Sequence, residues 1–106
     1  FECAQQLLEA SASVDQANKE GTTPLFIASQ EGLLECVRLL LEAGAAIDQA
    51  RNNGATPLFM ACQQGQLECV RLLLEAGAAI DQADDEGTTP LSVASLTGKI
   101  DCARLL

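Results

Sequence analysis

The seventeen residues LECVRLLLEAGAAIDQA occupy positions 34–50 and recur, letter for letter, at positions 67–83. Ahead of each copy stand sixteen residues of which eight differ, at positions 18, 19, 20, 22, 27, 29, 31 and 33 of the first copy. A chain that holds one half of a unit constant and varies the other is built from repeats, so the period has to be settled before any local feature. Sliding the sequence over itself by 33 residues superimposes Thr23-Pro24-Leu25 on Thr56-Pro57-Leu58 and on Thr89-Pro90-Leu91 without an insertion. The same shift aligns Gly21, Gly54 and Gly87; Gly32, Gly65 and Gly98; Cys3, Cys36, Cys69 and Cys102; and Asp15, Asp48 and Asp81. One domain is expected over residues 1–106, divided into a partial unit at 1–17, full units at 18–50 and 51–83, and a partial unit at 84–106.

Within a unit the local signals give two helices. Thr56 can cap a helix whose first residue is Pro57, where the missing N–H is not needed, and Gly65 stops it. After Gly65, residues 67–76 place Leu67, Val70, Leu73 and Leu74 on one side at helical spacing, and Gly77 supplies a left-handed terminator. Residues 78–88 carry no helical period and lead through acidic residues into Gly87, which predicts a protruding turn or short hairpin.

The run Gly54-Ala55-Thr56-Pro57-Leu58, followed by Ala61, Gly65, Leu73-Leu74 and Gly77-Ala78, resembles the ankyrin repeat, whose period is also 33 residues. The resemblance covers essentially the whole chain in phase. It implies an all-α fold, a solenoid of stacked antiparallel helix pairs with projecting hairpin turns. One departure stands out: where the family carries His after Thr-Pro-Leu, this chain has Phe26, Phe59 and Ser92, and it contains no His at all. The imidazole bridge between neighbouring turns is therefore absent, and a column of phenyl contacts through Phe26 and Phe59 is expected to replace it.

Composition narrows the partner class. Fifteen acidic residues against six basic ones give a net charge of -9, the wrong sign for displacing counterions from a phosphate backbone, so nucleic acid is not an expected partner. No apolar run approaches the roughly 20 residues of a membrane span, and the first ten residues lack a secretory pattern. With only 3% aromatic residues, aliphatic side chains must do the packing. Phe1 aligns with Leu34 and Leu106 with Leu73, so both ends fall within second helices, and the uncapped aliphatic rows there are expected to associate end to end.

Catalytic chemistry has no foothold. Without His, the commonest general base is missing along with any Ser-His or Cys-His dyad. From Gly21 onward the glycines fall singly, so no loop is built to cradle phosphate. Glu35, Arg38 and Glu42, repeated as Glu68, Arg71 and Glu75, have the spacing of a solvated helix face. Cys3, Cys36, Cys69 and Cys102 sit one repeat apart, about 8–10 Å for packed helices, whereas a disulfide needs Cα atoms within about 7 Å. They and Cys62 lack zinc-ligand spacing and read as small packing residues. Five free thiols point to a reducing, cytoplasmic compartment or to recombinant handling in reductant rather than to secretion.

The constant half explains itself: a second helix that must fit its own copy next door repeats the fit by repeating the side chains. The variable half carries, by the ankyrin resemblance, the groove and hairpin tips that bind other proteins. The candidate contacts are Asn18, Lys19, Glu20, Thr22, Gln30 and Glu31; Arg51, Asn52, Asn53, Gln63 and Gln64; and Asp84, Asp85, Glu86 and Thr88. Their plainer role is that of solvated polar positions. Lys19 and Arg51 in the first two tips against Asp84, Asp85 and Glu86 in the third would steer a basic partner segment to the last tip. Arg51, with part of Phe26 or Phe59, is the groove's only anchor of the kind interfaces favour. The expected function is a non-enzymatic protein-interaction module with a protein partner and no cofactor or metal. The alternatives are an engineered or idealised array without a physiological partner, and a regulatory piece of a larger protein.

Overall fold

The computed structural model describes residues 17–106, so residues 1–16 of the partial unit at 1–17, with Cys3 and Asp15, lie outside the described residues. Six helices follow in order: α1 (Pro24–Glu31), α2 (Leu34–Glu42), α3 (Pro57–Gln64), α4 (Leu67–Glu75), α5 (Pro90–Leu96) and α6 (Ile100–Leu105). No strand occurs among the described residues. Each odd-numbered helix begins on a threonine whose hydroxyl accepts the N–H three residues on: Phe26 N–H to Thr23 at 3.2 Å, Phe59 N–H to Thr56 at 3.1 Å, Ser92 N–H to Thr89 at 3.2 Å. Proline at the first helical position then needs no acceptor. Gly65, at φ 72°, ends α3. Its N–H bonds to the Cys62 carbonyl and that of Gln66 to the Ala61 carbonyl, which satisfies two orphan carbonyls and turns the chain into α4.

The helices form two rows. In the inner row α1 packs on α3 and α3 on α5; in the outer row α2 packs on α4 and α4 on α6, and each inner helix also packs on the outer helix that follows it. Position in the stack sets what is buried. Helix α3, flanked on three sides, buries Pro57, Leu58, Phe59, Met60, Ala61 and Cys62 in unbroken succession. Helix α4 keeps a stripe of Cys69, Val70 and Leu73 facing inward, as α2 does with Cys36, Val37 and Leu40. The 33-residue shift is a spatial repeat: Leu40 and Leu73 are both fully buried, and Thr23 and Thr56 have backbone angles of -93°, 165° and -94°, 167°. The molecule extends 39 Å along its longest axis against 25 and 20 Å across, the proportions of a stack.

The three residues that follow Thr-Pro-Leu differ in their surroundings. Phe26 and Phe59 are buried, while Ser92, the third member, is exposed and accepts a hydrogen bond from the Thr89 hydroxyl at 3.1 Å. Phe26 meets a cation: the Arg51 guanidinium lies 5.3 Å from the ring centroid.

Candidate functional site

The hairpin tips are tight turns, each closed by a pair of backbone hydrogen bonds. In the first, Asn18 N–H donates to the Thr22 carbonyl and Gly21 N–H to the Asn18 carbonyl; Arg51 with Ala55 and Gly54, and Asp84 with Thr88 and Gly87, repeat the pattern. Asn18 and Asp84 hold their own turns through a side-chain oxygen. Asn18 Oδ1 accepts from Glu20 N–H and Thr22 N–H at 2.9 and 3.1 Å, and Asp84 Oδ1 from Glu86 N–H and Thr88 N–H at 2.9 and 3.0 Å. Arginine cannot accept. In the middle tip Asn53 Oδ1 does so instead, from Ala55 N–H at 3.0 Å.

Neighbouring tips are also tied to each other. Asn52 N–H donates to the Glu20 carbonyl at 2.8 Å and Asp85 N–H to the Asn53 carbonyl at 2.9 Å. Asn52 Nδ2 adds a bond to the Lys19 carbonyl at 2.9 Å. Gly54 is required at this junction: its φ is 86°, and a Cβ there would stand 2.8 Å from the Asp85 backbone nitrogen. Farther down the stack, Gln66 Nε2 donates to the Gln30 carbonyl at 3.0 Å.

Arg51 binds its own scaffold. Its guanidinium pairs with the Glu20 carboxylate while resting against the Phe26 ring, so it braces one repeat against the next. Of the three residues expected to anchor the groove, Phe26 and Phe59 are buried in the core, and Arg51 makes a contact within the chain. Thr22 is buried as well, and Gln30, Gln63, Asp84 and Thr88 are half-buried. Gln64 is exposed, with its amide 3.9 Å from Met60 Sδ. The candidate residues left exposed with no ion pair or side-chain hydrogen bond among the described residues are Lys19, Glu31, Asp85 and Glu86. Asp48 has a role that its sequence period alone does not disclose. Its Oδ1 accepts from Ala79 N–H in the next repeat at 2.9 Å.

The cysteines lie away from this surface. Cys36, Cys62, Cys69 and Cys102 are free and buried. Burial, and secondarily the neighbouring Cys102, pushes the Cys62 thiol up to about 12. Burial and then Glu68 raise Cys69, and burial and then Asp101 raise Cys102 against the opposing effect of Lys99. Thiols held neutral in this way are poor nucleophiles. Among the described residues no group of three or more ligating side chains could hold a metal, and no helix is long and apolar enough to cross a membrane.

Stacked helix pairs, threonine-capped inner helices and turns tied edge to edge define a repeat protein that presents its variable residues on its turns and inner row. A family model described as ankyrin repeats in three copies matches residues 1–51 and 43–106. The chain belongs to the ankyrin repeat family, whose members are generally protein–protein interaction modules. Comparison with curated proteins returns no match.

Proposed function

We propose that this chain binds a protein partner along its inner row and hairpin tips and performs no reaction of its own. The observation that carries this reading is the division of labour among the variable positions. Some of them tie the turns together, as Asn18, Arg51, Asn52, Asn53 and Asp84 do, and this leaves Lys19, Glu31, Asp85 and Glu86 as exposed charges on a braced scaffold. A rigid frame that presents free side chains lowers the ordering cost of binding. With Arg51 already paired to Glu20, the surface charge of the tips is dominated by Asp85 and Glu86, which favours a partner segment rich in lysine or arginine.

A photo-crosslinking residue placed at Glu31 or Glu86 tests this against the same residue at Glu42 or Glu75 on the outer helices. Specific cross-linked proteins are expected from the first pair alone, and those from Glu31 should disappear when Asp85→Lys and Glu86→Lys are introduced. Indistinguishable products from both faces would defeat the groove reading. The letter-for-letter identity of α2 and α4 favours one alternative, an idealised array with no physiological partner. The absence of any site-specific cross-link would decide for it.

A further inference from the structure

The chain has three asparagines, Asn18, Asn52 and Asn53, and only Asn53 precedes a glycine. The same position in the first and third tips holds Glu20 and Glu86. Asparagine before glycine readily closes on itself, because a following residue without Cβ leaves its backbone nitrogen open to approach. In that reaction the Gly54 nitrogen bonds to Asn53 Cγ and the bond from Cγ to Nδ2 breaks. The proton of Gly54 N–H leaves with Nδ2 as ammonia. Water then opens the cyclic imide at either carbonyl, to aspartate or to isoaspartate. Asn53 is exposed, so water reaches it.

In the folded middle tip the reacting atoms are engaged elsewhere. Gly54 N–H donates to the Arg51 carbonyl at 2.8 Å, which holds the proton that must leave. Asn53 Oδ1 accepts from Ala55 N–H at 3.0 Å, which fixes the side-chain amide. The third tip lies directly against Gly54, where a Cβ would stand 2.8 Å from the Asp85 nitrogen and 2.9 Å from Asp84 Cα. Its Asp85 N–H donates to the Asn53 backbone carbonyl at 2.9 Å. We propose that Asn53 is a site of spontaneous deamidation, restrained while the middle and third tips stay tied and released when that tie opens. Conversion to isoaspartate also removes the tie. The Asn53 backbone carbonyl leaves the main chain as a free carboxylate, and the path from Arg51 to Ala55 gains an extra carbon. The site requires no partner and stands apart from the groove reading.

Peptide mapping by mass spectrometry of the full chain, incubated in reductant at mildly alkaline pH with and without urea, tests it. In the unfolded chain Asn53 should deamidate faster than Asn18 and Asn52. In the folded chain its rate should fall by about tenfold or more, following the fraction of molecules whose tip is open. Asp85→Pro deletes the N–H that ties the third tip to Asn53. It does so at the second position of a turn closed by Gly87 N–H on the Asp84 carbonyl, where proline is favoured. This variant, with its helices verified by circular dichroism, should deamidate at Asn53 severalfold faster than the folded parent and at the parent's rate when unfolded. In the parent itself the rate should climb with urea before the helices are lost, a measurement that stands even where the variant does not fold. Equal rates in the folded and unfolded chains, or no preference for Asn53 in the unfolded chain, would overturn the proposal. So would a folded Asp85→Pro no faster than the parent, or a parent rate that stays flat until global unfolding.

Discussion

Ser29 is the residue at which the repeat fits itself least well. Its hydroxyl is fully buried and finds no hydrogen-bond partner, while the same position one repeat on is Cys62, which fills the site as a small apolar group. A buried unsatisfied hydroxyl costs about 1–3 kcal/mol, and deleting its oxygen leaves only a small void. Ser29→Ala is therefore expected to stabilise the chain by about 1 kcal/mol in urea unfolding followed by circular dichroism; a variant less stable than the parent would show that the hydroxyl has found a partner. Arg51 carries the opposite lesson about what a sequence reveals. Its residue type made it a candidate anchor, but nothing in the local sequence discloses the contact it makes with the neighbouring turn. That is decided by Glu20, 31 residues away, and by a ring whose burial depends on the stack.

At the level of the helices, the boundaries were legible because each is set by chemistry within four residues. Threonine caps, proline starts and glycine stops, and the observed helices begin at Pro24, Pro57 and Pro90 as those signals require. The tips were less legible. A short hairpin was an open expectation, yet the turns close on a pair of backbone bonds and a side-chain acceptor, because the flanking residues offer no alternating apolar pattern to extend a ladder. The caps also make a quantitative test. Thr56 is fully buried and holds the N–H of Phe59 in the central inner helix, so Thr56→Ala removes a cap and orphans a buried donor. A loss of about 1–2 kcal/mol is expected, with Thr56→Ser losing less than half as much. Equal losses for the two variants would mean that the threonine methyl, rather than its hydroxyl, secures the helix.

Across the whole molecule, stability comes from each unit lying against its neighbour, so the most informative probe is one buried at such a junction. Cys62 on α3 has that position, with α1 and α5 on either side of its helix and the thiol of Cys102 near enough to influence it. Its ordinary value is 9.0 and its value in the fold about 12, so the folded protein binds the thiol proton more tightly than the unfolded chain. That stabilisation is complete below pH 9 and is lost as pH rises through 12, because the unfolded chain ionises first. Burial raises Cys69 and Cys102 in the same direction. Absence of Trp and Tyr leaves thiolate ultraviolet absorption unobscured by phenolate. In alkaline titration the Cys62 thiolate signal, taken as the difference between the parent and Cys62→Ala, is therefore expected to lag behind that of a urea-unfolded sample and to rise together with the loss of helical circular dichroism. In Cys62→Ala the decline in stability between pH 9 and 12 should be shallower than in the parent. Equal slopes in the two proteins would show that the junction around α3 is open to water and that the units do not seal one another.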